Sequence, residues 1–371
     1  MIYFFIILLT FFLAYYFKKL VSFIYGLYKT PKLQTVDYTE PVSVILAVYN
    51  GEDSLKNILI DLVNQDYNDK IEFIIVDDLS TDNSKEIILE FIKINKSFHY
   101  VSSTEGNSNL NYKKRALDAG IRRAKYDILL FTDVDCHVKT KWVSSMVSNF
   151  NDKQIEYVVG FSHVNNKTVH NLVSKFQQID FFMLMIAAFA SINNKIGWAC
   201  SGQNQAYRKN LFLKVGGFEK IQNCLQGDDT LFFQLAKKIN NFTFCTNPES
   251  YVYCRTEFQL FSFLKQRIRW AGDANIMWRF NKRFYLMILS TFITNVTLLF
   301  LFIIKFYDMA IILFFLKFLL EFAMFYIGKQ KFNINIRSYK YLLWSVLQAP
   351  YIFVMGISSF FTNYLIDWKS K

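Results

Sequence analysis

Two apolar patterns divide this chain. Near both ends hydrophobic residues run almost unbroken, whereas between about 40 and 280 they fall into short runs and helix-spaced sets. Val42 to Val48 is a continuous apolar run, which predicts a strand buried on both faces of a parallel sheet. Leu55, Ile58, Leu59, Leu62 and Val63 then share one helix face. Ile71 to Val76 predicts the next strand, and Thr81 or Asp82 can cap a helix that turns Ile87, Ile88 and Phe91 inward. Phe98 to Val101 reads as a short strand, Leu117, Gly120, Ile121 and Ala124 as a helix face, and Ile128 to Phe131 as a further strand. This alternation predicts an α/β fold with a doubly wound, mostly parallel sheet. No G-x-G-x-x-G follows the first strand, so the dinucleotide fingerprint is missing. The second half is less regular. Phe181 to Ala190 is apolar but too short to span a bilayer, and reads either as core or as an interfacial helix.

The end segments predict membrane helices. Ile2 to Phe17 is almost wholly apolar and is followed by Lys18 and Lys19, with the helix extending towards Tyr28. A charged start and a small-residue cleavage site are not evident, which favours an anchor over a signal peptide. Three further spans are expected at about 284–304, 309–327 and 341–365, the last kinked by Pro350. The expected organisation is therefore an anchor over 1–28, a cytoplasmic domain over 40–280 and transmembrane helices over 284–366. Lys18, Lys19, Lys29 and Lys32, then Arg279, Lys282 and Arg283, then Lys329, Lys331, Arg337 and Lys340 all fall on one side if the spans alternate. That side is cytoplasmic, in the inner membrane. Lys369 and Lys371 would then lie outside, against the trend. Lys317 and Glu321 are four apart inside the third span and can pair on one face. They read as a neutralised structural pair or as the mark of a transport function.

Composition agrees. Of 371 residues, 53% are hydrophobic and 40 are Phe, more than an ordinary soluble domain carries. The net charge of +12 suits anionic lipid, nucleic acid or phosphorylated substrates, and the membrane segments make lipid the simplest choice, with no nucleic-acid partner expected. The 5 cysteines form no close pair, which argues against a zinc site or disulfide framework and for reduced thiols.

The candidate chemistry lies in acidic clusters. Asp77 and Asp78 follow the second strand, Asp133 and Asp135 follow the strand at 128–131, and Gly227-Asp228-Asp229 comes later. The first two clusters sit at the carboxyl edge of a parallel sheet, where open α/β folds bind nucleotides. Carboxylates one residue apart suit a divalent cation with oxygen ligands, Mg²⁺ or Mn²⁺, and that cation suits a diphosphate. Residues one apart on a strand face opposite ways, so Asp133 and Asp135 converge only where the strand ends.

The order and spacing of these clusters, with Gln266-Arg267-Ile268-Arg269-Trp270 behind them, resemble family-2 glycosyltransferases of the GT-A fold over roughly residues 42–275. The resemblance implies that Tyr49, Asn50 and Asp78 line the nucleotide pocket, with Asp78 accepting from the base, usually uracil. Lys113 opens a segment similar to the family's G-K-x-x-A-L-N-x-G, with Tyr112 for the usual Gly and Asp118 for the usual Asn. It reads as an offset to diphosphate charge or as a solvated helix face. Asp135 is implied as the direct metal ligand and Asp133 as a ligand to ribose or metal. His137 reads as a further ligand or an ordinary loop histidine. Trp198 to Arg208 is similar to the stretch relatives use near donor sugar and acceptor. Asp229 is implied as the base, with Asp228 as the alternative, and capping of the helix from Thr230 as the plain structural reading. Gln266 and Arg269 are implied to serve the donor diphosphate, and Trp270 to stack against the acceptor. A membrane-surface helix is the plain reading of that segment.

Together these imply an inverting, metal-dependent transfer of sugar from a nucleotide-sugar donor, a UDP-sugar by resemblance, to a lipid, lipid-linked or glycan acceptor. A processive polysaccharide synthase is the alternative. A non-catalytic nucleotide-sugar-binding membrane protein is the rival from another class, and a transporter the third.

Overall fold

The computed structural model describes residues 2–29, 38–239 and 241–362. Its elements run α1 (Ile2–Tyr28), β1 (Val42–Val48), α2 (Glu52–Val63), β2 (Ile71–Asp77), α3 (Ser84–Ile94), β3 (Phe98–Ser102) and α4 (Lys113–Arg123). Next come β4 (Ile128–Asp133), α5 (Trp142–Val147), β5 (Ile155–Val159), β6 (Ser162–Val164), α6 (Leu172–Asn193), β7 (Gln205–Arg208) and α7 (Lys209–Val215). The chain ends with α8 (Thr230–Ala236), β8 (Asn241–Phe244), β9 (Val252–Cys254), α9 (Leu260–Phe280), α10 (Lys282–Ile303), α11 (Tyr307–Lys331) and α12 (Tyr339–Ser358). They form two compact units. A helical unit takes 1–30, 166–196 and 256–371, and a sheet unit takes 31–165 and 197–255.

In the sheet unit seven strands lie in the order β3-β2-β1-β4-β7-β5-β8. β1 pairs parallel with β2 and β4, β2 with β3, and β5 with β8, while β7 runs antiparallel to both neighbours. β1 and β2 are buried almost throughout, as their unbroken apolar sequences require. The chain winds outward from β1 through β2 to β3, then returns to the other side of β1 at β4. That reversal makes the carboxyl ends of β1 and β4 the switch point where α/β folds take ligands. Register fixes what stands there: Val48 is paired with Asp77 and Ala47 with Asp133.

The helical unit is built differently. Among the described residues five of its helices are long and apolar enough to cross a membrane by length and composition: α1, α6, α10, α11 and α12 with the turn after it. The spans expected at 284–304 and 309–327 appear as α10 and α11, and that at 341–365 as α12, with residues 363–365 outside the described range. The expectation for Phe181 to Ala190 needs correcting. It is the middle of a 22-residue helix, most of which is buried. Gly26 of α1 approaches so closely that an added Cβ would lie 2.5 Å from the Ala190 carbonyl oxygen. Asn193 donates to the carbonyls of Gly26 and Lys29, and Asn194 to that of Ser22.

Lys317 and Glu321 do pair, at 2.9 Å, and both are buried. Tyr16 of α1 donates to Glu321 at 2.5 Å, and Gln348 of α12 bonds both members. Buried charge survives where partners surround it in this way, and removing one member would cost about 3–5 kcal/mol. The cluster ties three helices together, which is the structural alternative for this pair.

Candidate active site

The site begins with two loops at the switch point. Asn50 follows β1 in the left-handed region at φ 47°, a conformation asparagine tolerates. Its side chain accepts from Thr81 N at 2.8 Å, and its own N–H donates to Ser80 at 3.1 Å, so the loops after β1 and β2 are laced together. Asp77 is buried and engaged with Ser80 N and Tyr100. Asp78 and Tyr49 remain partly exposed beside it. Burial raises the Asp78 carboxyl above its usual range and Asp77 adds to this, against a hydrogen bond from Ser103 and the charge of Arg115.

Asp133 is the last residue of β4, and Asp135 lies just beyond it. The strand therefore ends where the two carboxylates must turn towards one another. Burial raises the Asp135 carboxyl and the neighbouring Asp133 adds to this, with Arg255 opposing. Two crowded carboxylates of this kind suit a hard divalent cation whose other oxygens come from diphosphate and water. Among the described residues no group of three or more His, Cys, Asp and Glu side chains is gathered to hold an ion by itself. His137 is exposed, and its Nδ1 lies 3.1 Å from Asp61. That contact occupies it in the manner of an ordinary loop histidine.

Lys113 opens α4 and joins the acidic clusters. Its Nζ lies 2.7 Å from Asp133 and 3.1 Å from Asp228. Burial works to lower the ammonium pKa, but Asp133, Asp228 and Asp229 outweigh it and hold the group well above its ordinary value. This is not the solvated helix face that the sequence left open. The residue before it, Tyr112, has φ 55° and ψ −148°, a region close to glycine-only. Tyr112 thus stands in a backbone conformation that suits glycine, with strain of about 1–3 kcal/mol. Asp118, in place of the usual Asn, accepts from Asn107 N at 2.8 Å and pairs with Arg122 at 2.6 Å, fixing the loop ahead of α4.

Asp228 and Asp229 follow Gly227, whose φ of 106° belongs to glycine and where a Cβ would meet Leu231 at 2.5 Å. Asp228 is buried against Lys113. Asp229 caps α8 by accepting from Thr230 N, and it also receives Gly202 N at 3.3 Å. The capping reading is therefore realised, and it leaves lone pairs on the carboxylate unused. Burial, then the charge of Asp228, pushes the Asp229 carboxyl up to about 6. A carboxyl held near neutrality beside a second acid is suited to proton transfer.

Several working residues escaped the sequence. Lys114 is buried and donates to the carbonyls of Cys224 and Gln226, pinning the loop that leads to Asp228. Its adjacency to Lys113 in the Lys-Lys-Arg run hid this division of labour. Asn204, already inside the Trp198 to Arg208 stretch singled out in the sequence, is fully buried and bonds Trp142, Phe161 and Ser250, so it braces the region between β5 and β7. Arg255 was hidden by its place one residue after the short strand β9.

Gln266, Arg269 and Trp270 lie on α9 of the helical unit. Gln266 Oε1 is enclosed yet accepts no hydrogen bond, an arrangement that packing alone does not call for. One face of the Trp270 ring is covered by the Arg267 guanidinium at 4.1 Å.

A mostly parallel mixed sheet with paired acids at its switch point defines the GT-A class of fold. Residues 43–216 match the family model described as glycosyl transferase family 2. Over its whole length the chain is similar in fold to a mannosyltransferase from Pyrobaculum calidifontis solved with GDP-Man and Mn²⁺, with a TM-score of 0.60, 98% of each chain covered and 16% identity. It is 27% identical over 260 residues to the poly-β-1,6-N-acetyl-D-glucosamine synthase of Staphylococcus aureus strain MSSA476, covering 69% of this chain and 59% of the relative. The corresponding synthase of Staphylococcus epidermidis is 26% identical over 235 residues, covering 62% and 54%. The chain thus spans somewhat over half the length of the curated relatives it matches.

Proposed function

We propose that this chain is an inverting glycosyltransferase of the cytoplasmic membrane that moves a sugar from a nucleotide-sugar donor to a glycan or lipid-linked acceptor. The observation that carries this is Lys113 standing between Asp133 at the end of β4 and Asp228 beside Asp229. It joins a diphosphate-type acidic pair to a proton-accepting pair within one partly buried cluster. Asp229 takes the acceptor hydroxyl proton as that oxygen attacks the anomeric carbon, and the bond to the nucleoside diphosphate breaks on the opposite face. Lys113 occupies Asp228 in an ion pair, which leaves Asp229 to take the proton. Asp78, with Tyr49 and Asn50, receives the nucleotide base. Asp135 and Asp133 would hold Mg²⁺ or Mn²⁺, which when bound offsets diphosphate charge. Arg269 and Gln266 serve the leaving diphosphate, and Trp270 serves the acceptor.

The four segments α1, α10, α11 and α12 are read as crossings, which keeps the basic clusters cytoplasmic. α6 is not counted, because both its ends rejoin the sheet unit. A reporter fused after Lys331 should read cytoplasmic, and an external signal there would break this alternation.

Polysaccharide synthesis is the second reading, favoured by the synthases among the relatives. Product length separates the two. Membranes holding the chain and labelled donor should yield either a singly extended lipid-linked product or a ladder of long polymer. Long polymer would replace single addition.

A further inference from the structure

Residues three or four apart share a helix face. On α9, Phe263, Gln266, Arg267 and Trp270 therefore fall on one broad face, with Arg269 at its edge beside Gln266. Within the helical unit Phe263 and Arg267 are buried, each 3% exposed. A guanidinium inside a unit of apolar helices persists only when it is paired. The partner of Arg267 is Asp180 on α6, 3.1 Å away and also buried. Two residues of α12 complete the carboxylate's surroundings: Trp344 Nε1 at 3.5 Å and a hydrogen bond from the Tyr351 hydroxyl. The guanidinium lies 4.1 Å over the Trp270 ring and 5.1 Å from that of Phe263. Its N–H groups make no hydrogen bond of good geometry, so the ion pair and the stacking set its orientation.

We propose that Arg267, held by Asp180, is a positioning residue for sugar transfer: it backs one face of the Trp270 ring and sets the orientation of that ring towards the acceptor. This rests on the function proposed above. It differs from the motif's implied roles, because Arg267 touches neither donor nor acceptor and acts through its neighbours.

Hydrolysis of donor by water needs only the donor side, whereas transfer also needs the acceptor held. Loss of the backing therefore lowers transfer more than hydrolysis, while a poorly folded protein loses both in proportion. The test uses the full chain in lipid nanodiscs, with UDP-sugars and GDP-mannose as donors. Asp180→Asn/Arg267→Gln removes both charges together, leaving no orphaned charge. Tyr351→Phe removes one donor to Asp180 and no bulk. Arg267→Lys keeps the charge but loses the planar stacking surface. The transfer-to-hydrolysis ratio should fall at least about tenfold in the double variant and about twofold in Tyr351→Phe, since small misplacements at a reacting centre are costly. Arg267→Lys should follow the double variant. Amide exchange over residues 260–280 should rise, with the sheet unit unchanged. An unaltered ratio or unaltered exchange in the double variant overturns the proposal, and if that variant does not fold, the same result in Tyr351→Phe does so. Either outcome leaves the glycosyltransferase reading in place. No release of nucleoside diphosphate by the unaltered chain overturns that reading itself, and with it any role of Arg267 in transfer.

Discussion

Asp229→Asn is expected to lower turnover by about 10²–10⁴-fold, the usual worth of a positioned base, while donor binding stays close to normal. The change keeps the size of the side chain but only one oxygen, whereas Thr230 N donates to Oδ1 and Gly202 N to Oδ2, so one of these contacts goes together with the capacity to accept a proton. The unaltered enzyme should also show a pH limb. A base must be unprotonated to act, and burial with the charge of Asp228 places the Asp229 carboxyl at about 6. kcat/KM should therefore fall as pH drops through about 6 and level off above it, and the limb should vanish in Asp229→Asn. Near-normal turnover in that variant would move the base to Asp228, whose own variant should then carry the loss.

The second large effect is expected at the end of β4. Asp135→Ala, or a chelator added to the unaltered chain, should abolish transfer and weaken binding of the nucleoside diphosphate, because a cation bridging carboxylate and phosphate holds both. Calorimetry with nucleoside diphosphate, with and without Mg²⁺ or Mn²⁺, reads binding apart from turnover. The cation-dependent part of the affinity should disappear in Asp135→Ala. Full activity in excess chelator would remove the metal role of Asp133 and Asp135. Lys113 would then be the charge left to meet the diphosphate.

β1, β2 and β4 were legible because they are buried almost throughout and so appear as unbroken apolar runs, whereas the half-exposed β3 showed only as a short one. β1 matches its predicted bounds, and β4 runs two residues further, to Asp133. That extension puts Asp133 on the strand and Asp135 beyond it, as convergence of the pair requires. The later strands β5 to β9 have 3 to 5 residues each, and apart from β7, read as a strand after the Gly202 turn, they carry too little periodicity to be read. α6 was cut short in the sequence for a physical reason. Gln177, Gln178 and Asp180 break its apolar run, yet each is buried with a partner: Glu257 N, Lys340 and Arg267. Hydropathy scores such residues as surface because the partners lie far away in the chain. The same holds for Lys114, whose carbonyl partners are over a hundred residues distant. Candidate site residues were readable where chemistry demands acids in pairs. Their bracing was not, because backbone carbonyls and long-range ion pairs leave no local pattern.

The central claim is that the chain cleaves a nucleotide sugar at the Asp133, Asp135, Asp228 and Asp229 cluster. The most direct measurement is release of nucleoside diphosphate by the full chain in lipid, across UDP-sugars and GDP-mannose, beside Asp229→Asn and Asp135→Ala. The account predicts release from at least one donor, enhanced by acceptor-bearing membrane and lost in both variants. Folded protein that releases nucleoside diphosphate from none of these donors, or releases it equally well in both variants, would contradict it.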